Sequence, residues 1–430
     1  MNFISTRGLS PPVTVGPALA AGLAPDGGLY MPAQLPRRRP EDFSGCDSLP
    51  AVAERLLQPF FEGDALAAAL PAVCAQAFAV PPPLRGVGRD GDYVLELFHG
   101  ATAAFKDYGA GFLAACLAAR PTQEAPLTIV VATSGDTGAA VAAAFHGRPG
   151  FRVAILYPNG RVSPRQAHQL GCFGGNVRAF AVEGSFDDCQ RMAKAALADA
   201  ALRAEVPLSS ANSISLGRLL PQMAYYAHAS LQHWRAQRRP LGFVVPTGNL
   251  GNALAGLLAR HLGLPIGDIH LATNANQALP EFFAGEEYRP RASIPTLANA
   301  MDVGAPSNFE RLDWLYGDEQ ALRQALRAEA VSDRDIRATV SWARSELGET
   351  LCPHTATAAC LLRRLRGRGA TGDLCAVATA HPAKFPEVVE PCIGGPVPLP
   401  PSLAHMLSQP SHAEPLPAQD PAFAAILRAW

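Results

Sequence analysis

Phe243-Val-Val-Pro-Thr-Gly-Asn-Leu-Gly-Asn252 reads as a strand end, a glycine-bearing turn and the start of a helix running from Asn252 to Leu262. Its apolar run does not alternate with polar residues, so both faces of the strand should be covered. The same succession recurs on either side. Leu127–Ala132 precedes an Ala-rich segment from near Thr137, and Arg152–Tyr157 precedes one from near Ser163. Val177–Val182 precedes a segment opening at Phe186 with Asp187 and Asp188 in its first turn, where carboxylates complement the helix dipole. Ile269–Ala272 precedes Asn276–Phe283, and Leu374–Thr379 ends the series. Short apolar strands alternating with helices predict an α/β fold with parallel sheet covered on both sides.

Residues 1–90 are richer in Pro, Gly and Arg, with helical patches at 48–61 and 64–78, and read as a separate amino-terminal region. Residues 285–350 break the alternation and read as mainly helical from about 318. Beyond Gly395 the chain carries Pro396, Pro398, Pro400, Pro401, Pro410, Pro415, Pro417 and Pro421, which suits a tail wrapped over the surface.

Composition narrows the class. Of 430 residues, 48% are apolar and 17% charged, enough to bury a sizeable core. With 36 Lys+Arg against 37 Asp+Glu, the basic excess of a phosphate-neutralising nucleic-acid binder is missing. The richest apolar stretch, Ala65–Leu84, is broken by Pro71 and Pro81-Pro82-Pro83, so no membrane helix is expected. The start, MNFISTRG, lacks the basic and apolar regions of a secretory signal. Nine cysteines include no CxxC pair, and none of the eleven histidines has a metal-binding spacing. The expectation is a soluble cytoplasmic protein with no structural metal.

Ligands of open α/β sheets bind beyond the carboxyl ends of strands, and three such places carry candidate chemistry. In the opening stretch, Gly248 and Gly251 permit positive φ and let backbone N–H groups approach an anion at a helix start. That makes a phosphate cup, although an ordinary glycine turn reads the same way. It is neither GxGxxG nor a Walker loop. In Ala132-Thr-Ser-Gly-Asp-Thr-Gly138, Ser134, Asp136 and Thr137 are N-capping types, and the turn's free N–H groups suit a carboxylate. Capping alone also explains it. In Leu95-Glu-Leu-Phe-His-Gly-Ala-Thr-Ala-Ala-Phe-Lys-Asp-Tyr108, Lys106 follows an apolar run at a helix start. It is either a solvated surface lysine or a desolvated amine fit for Schiff-base chemistry, because an ordinary lysine is protonated at neutral pH. Together the three supply an amine for an aldehyde cofactor, a cup for its phosphate and a helix start for a carboxylate, the parts needed by pyridoxal 5'-phosphate acting on an amino acid.

Along nearly its whole length the sequence resembles the threonine synthase family, of the long bacterial and fungal type. The matching stretches begin with Ser5–Gly8, Gly22–Tyr30, Glu96–Gly100 and Phe105–Asp107. They continue with Ala132–Gly138, Leu156–Pro158, Gly160–Ser163, Phe186–Gln190, Asn212–Ile214 and Val245–Asn252. Ala272–Asn274, Ala300–Asp302 with Asn308, and Thr379–Phe385 complete the order. The resemblance implies a fold-type-II pyridoxal-phosphate enzyme with two doubly wound parallel-sheet lobes and an extra amino-terminal region. It implies a division into residues 1–90, a catalytic core over 91–392 and a tail over 393–430 packing on the core, with lobes of about 106–215 and 91–105 plus 216–392.

The implied activity is conversion of O-phospho-L-homoserine and water to L-threonine and phosphate. Its small-molecule substrate is the only partner implied, with neither nucleic acid nor membrane, and the chain is expected to be a monomer or homodimer. Carried over by position, Lys106 corresponds to the lysine that bonds the cofactor, and Gly248, Asn249, Leu250, Gly251 and Asn252 to its phosphate loop. Thr379 corresponds to the neutral hydroxyl facing the pyridine nitrogen, and Asp136 to a side chain near the phenolic oxygen. Ser134, Gly135 and Thr137 correspond to the substrate-carboxylate loop, and Arg161, Ser163 and Arg7 are candidates for the substrate phosphate. His99, His354 and His381 read as structural hydrogen-bonding residues, with His99 the foremost candidate for more. Lys384 reads as a cap or ion-pair partner at a helix start. Three positions depart from the family: Ala101 replaces a proline, Ser215 an asparagine and Cys352 an acidic residue. Ser215 and Cys352 sustain the competing reading, a fold-type-II β-replacement synthase or dehydratase acting on phosphoserine, serine or threonine. A non-catalytic relative would have no use for Lys106, the glycine cup and Thr379 together.

Overall fold

The computed structural model describes residues 1–121 and 125–430. Two larger sheets organise it. One has six strands in the order Arg327–Ala330, Ile266–Thr273, Leu241–Pro246, Asp373–Ala378, Asp92–Glu96 and Leu84–Gly86. All neighbours in it are parallel except the last pair, where Leu84 lies opposite Leu95. The other has five parallel strands in the order Glu414–Pro417, Val177–Glu183, Phe151–Pro158, Leu127–Ala132 and Leu208–Ser210. A small antiparallel pair joins Phe3–Ser5 to Tyr30–Pro32.

The unalternating strands are buried on both faces. Every residue of Leu241–Pro246 and of Asp373–Ala378 is buried. Each large apolar side chain removed from water in this way contributes about 1.5–3 kcal/mol before entropy is set against it. Asp373 is the charged member of its strand, and His233 Nε2 (2.9 Å) and Arg239 (3.0 Å) satisfy it. Helices begin where the sequence supplies caps. Ser163 accepts from the Gln166 N–H and Ser185 from the Asp188 N–H, each as a capping box.

The amino-terminal region does not stand apart. Phe3, Leu19, Phe43, Phe60 and Phe78 share one hydrophobic cluster with Phe112 of the helix Lys106–Ala118 and Tyr226 of the helix Gln222–Gln237. The strand Leu84–Gly86, before position 90, extends the six-stranded sheet. The proline-rich tail does more than cover a surface. It contributes the strand Glu414–Pro417, and the helix Asp420–Ala429 packs Phe423 and Leu427 into the core of the five-stranded sheet. Leu208–Ser210 and Arg327–Ala330 escaped the sequence reading because both are short and lack β-branched residues. No helix of the described residues is long and apolar enough to cross a membrane.

Candidate active site

A cleft lies where carboxyl ends of strands from both large sheets meet, as open α/β folds dictate. Its floor is set by backbone contact between two segments. Phe105 N–H donates to the Thr379 carbonyl (2.9 Å), and His381 N–H donates to the Ala103 carbonyl (3.0 Å). That pairing sets Lys106, first residue of its helix, beside Thr379. Asp107 fixes the approach by accepting from the Thr102 N–H (2.9 Å) and hydroxyl (2.6 Å). Lys106 lines the cleft, and its Nζ has neither ion pair nor hydrogen bond among the described residues. Desolvation pushes its pKa down to about 8, with Asp136 opposing the shift and Arg218 and Lys384 adding to it. A useful fraction of the amine is therefore uncharged near neutral pH.

The second wall is the turn after Leu127–Ala132. Thr133 Oγ1 accepts from the N–H groups of Gly135 (2.9 Å) and Gly138 (3.0 Å), so Thr133 performs the capping. The N–H groups of Asp136 and Thr137 are left as first-turn donors. Gly135 takes φ +135°, and a Cβ there would lie 2.5 Å from Gln166 Nε2. The Asp136 carboxylate does not cap. It is buried, pairs with Lys384 Nζ at 2.8 Å and accepts from Gln166 Nε2 at 3.0 Å. Burial alone would raise its pKa, but Lys384 and Lys106 outweigh it and hold the acid well below the usual range.

The third wall is Thr247–Asn252. Gly248 and Gly251 permit positive φ, but in the structure it falls on Leu250 between them, at 63°. Glycine is required at 248 for a different reason, because a Cβ there would come within 2.7 Å of the Met301 Cα. The Asn249 side chain is spent on loop shape, donating to Ser213 Oγ (2.5 Å) and accepting from the Ser307 N–H (2.5 Å). Asn252 Oδ1 accepts from the hydroxyls of Tyr225 (2.5 Å) and Tyr226 (2.9 Å), while its buried Nδ2 has no partner. Beneath the adjoining Asn212–Ile214 loop lie two buried guanidiniums. Arg218 donates to the Ala211 carbonyl (2.7 Å) and Arg311 to the Ile214 carbonyl (2.7 Å).

Lys106, Ser134, Asp136, Thr137, Gly248–Asn252 and Thr379 thus line one cleft, with Gly135 forming the turn behind it. Other expected residues lie elsewhere. Arg7 is at the surface, paired with Glu310 at 3.2 Å. Arg161 is exposed and does not line the cleft. Ser163 caps its helix and donates to the Lys384 carbonyl (3.1 Å). His99 pairs with Glu96 (2.7 Å) outside the cleft, and the cleft histidine is His354. His354 Nε2 accepts the Ala300 N–H (3.1 Å), and burial pushes its pKa down to about 4, so the ring is a neutral strut. His381 Nδ1 accepts the Ala383 N–H (3.2 Å), again a structural contact. Neither Ser215 nor Cys352 lines the cleft; Cys352 Sγ caps its helix by accepting the Thr355 N–H (3.4 Å).

Sequence reasoning named no role for several wall residues, among them Arg218, Gln222, Val303 and Ser307. Phe186, Gln190 and Lys194 line the cleft from a single helix, and their spacing of four residues was the available signal. The set fits a phosphorylated aldehyde cofactor on three observations. An unpaired, partly neutral amine faces the cleft. The orphaned Asn252 amide donor needs an acceptor. The Thr379 hydroxyl has no partner among the described residues. No cluster of metal-ligating side chains occurs among those residues.

Comparisons with known proteins identify the family. Residues 86–380 match the family described as pyridoxal-phosphate dependent enzyme, 2–78 the threonine synthase N terminus and 355–426 the threonine synthase C-terminal family. Threonine synthase of Serratia marcescens is 40% identical over 420 residues, 97% of each chain. That of Escherichia coli K12 is 39% identical over 428 residues, 99% of this chain and 98% of its own. A crystal structure of threonine synthase from Escherichia coli superposes with TM-score 0.92 at 37% identity and covers 100% of both chains. The PLP-bound enzyme from Brucella melitensis gives 0.90 at 34%, covering 100% of this chain and 99% of that one.

Proposed function

The chain belongs to the threonine synthase family of pyridoxal-phosphate-dependent enzymes, and from that membership we propose that its cleft converts O-phospho-L-homoserine and water to L-threonine and phosphate. The observation that carries the residue assignment is that Lys106 with its unpaired amine, Thr379, and Asn252 with its orphaned amide donor line one cleft. The bound cofactor would supply an electron-withdrawing ring that acidifies the C–H bonds of the substrate's amino-bearing carbon and of the carbon next to it. Lys106 would hold the cofactor aldehyde, and its amine, when neutral, would serve as the base that takes and returns protons. The Thr379 hydroxyl would serve as a neutral partner for the pyridine nitrogen. Asn252 Nδ2 and the N–H groups opening the helix Gly251–His261 hold the cofactor phosphate. The Asp136 and Thr137 N–H groups, with the Ser134 and Thr137 hydroxyls, receive the substrate carboxylate. Lys194, exposed on the wall and without an ion pair among the described residues, faces the substrate's own phosphate.

Borohydride reduction of the cofactor-loaded enzyme followed by peptide mapping should find the adduct on Lys106. Phosphate release should exceed that from phosphoserine and match threonine formed from phosphohomoserine. Preference for phosphoserine would overturn the substrate assignment and leave the cofactor assignment standing.

A further inference from the structure

Lys384 is more deeply enclosed than the cofactor lysine. Its side chain is 0% exposed, and its Nζ donates to Asp136 Oδ1 and to the Thr102 carbonyl, both at 2.8 Å. The contacts cross the base of the cleft. Asp136 follows a strand of the five-stranded sheet, whereas Lys384 follows the central strand Asp373–Ala378 of the other. The Lys384 segment is also gripped by Ser163 Oγ on its own carbonyl (3.1 Å) and by the Arg165 guanidinium on the Ala383 carbonyl.

The charged and titratable groups facing this place are Lys106, Arg218, Asp107, His354, His381 and Cys352, whose thiol pKa burial pushes up, keeping it neutral. Asp107 is clamped by Thr102. His354 and His381 are both neutral near pH 7, their pKa values pushed to about 4 chiefly by burial. Asp136 is therefore the carboxylate free to draw a proton onto Lys106. A buried carboxylate stripped of its cation recruits another, since an uncompensated buried charge is strongly unfavourable. Lys106 would be that cation.

We propose that Lys384 is a positioning residue: by holding the Asp136 carboxylate across the two sheets, it leaves the Lys106 amine unpaired and able to condense with the cofactor aldehyde, with loss of water. This rests on Lys106 being the cofactor lysine. A salt bridge two residues into the Pro382–Phe385 turn thereby governs a nucleophile far off in sequence.

The test uses apoenzyme and added pyridoxal 5'-phosphate, with the borohydride-trapped adduct at Lys106 quantified by peptide mapping as a function of pH. In Lys384→Met the midpoint for trapping should rise by about one pH unit or more, the usual effect of a nearby opposite charge. Lys384→Arg should stay near wild type, and adding Asp136→Asn to Lys384→Met should bring the midpoint back down. A folded Lys384→Met with an unmoved midpoint overturns the proposal, whatever its melting temperature. If Lys384→Met does not fold, Asp136→Asn is compared with the double variant: Lys384 acts through the carboxylate, so their midpoints should be equal, and a higher midpoint in the double variant overturns it. An adduct on a different lysine overturns the Lys106 assignment itself, and so is told apart from failure of the Lys384 inference alone.

Discussion

Lys106 and Lys384 follow the two sides of one short backbone pairing, Ala103–Phe105 against Thr379–His381, yet their ammonium groups meet opposite fates. Lys384 is enclosed with a carboxylate and a carbonyl as partners, whereas Lys106 opens to the cleft with none. Enclosure by itself therefore does not make a nucleophile. What separates the two is which of them has been given an anion. The sequence offers a proline-flanked Lys384 and an apolar-flanked Lys106, and the difference in partners between them is not written in those flanks.

The sharpest way to break this contrast is Lys106→Ala. It should lower kcat by at least about a thousandfold, at the upper end of what a positioned base supplies. The fold should survive, because no partner of that amine is stranded; a variant with near-normal turnover defeats the assignment. Lys384→Ala tests the other lysine. With Asp136 left charged and buried, urea unfolding should show a loss of about 3–5 kcal/mol, and Asp136→Asn in the same chain should recover part of it. Asn252→Ala strands two tyrosine hydroxyls, so about 1–3 kcal/mol should go along with weakened cofactor binding by titration.

A pH series sharpens the contrast without mutation. The folded Lys106 amine holds its proton less tightly than the ordinary value of 10.5, so the unfolded chain binds more protons between about 8 and that value. Its contribution to apoenzyme stability should therefore rise with pH across that window, and Lys106→Met should flatten the rise in calorimetry. The smallest effect belongs to Arg7→Ala. Removing the exposed Glu310 pair should cost at most about 1 kcal/mol and leave kcat/KM for phosphohomoserine nearly unchanged.

Much of the architecture was legible because parallel strands buried on both faces announce themselves as unbroken apolar runs. The runs at 127–132, 177–182 and 374–379 all fall within observed strands or one residue past them. Edge strands were not legible. Arg327-Ala-Glu-Ala330 and Glu414-Pro-Leu-Pro417 gain their conformation from one neighbour each, and their residues carry no strand signal. At the cleft, motifs located the glycine loop, the lysine and Thr379, since each sits directly at a strand end or helix start. Motif reading could not say what those side chains were spent on. Asn249 shapes its loop, Ser163 and Cys352 cap helices, and Asp136 answers to a lysine far along the chain. Such partners are chosen by tertiary contact. Helical spacing could have exposed Phe186, Gln190 and Lys194, but amphipathic periodicity alone assigns such a row to solvent as readily as to a cleft.

Glu414–Pro417 runs parallel to Val177–Glu183 and closes that border of its sheet. During synthesis the border must wait, because its partner leaves the ribosome long after the strand it covers. Through that interval Val177–Glu183 presents open backbone to any passing chain. A message cut short before codon 414 would make that exposure permanent, so premature stops late in the gene should yield insoluble product even though every cleft residue has been translated.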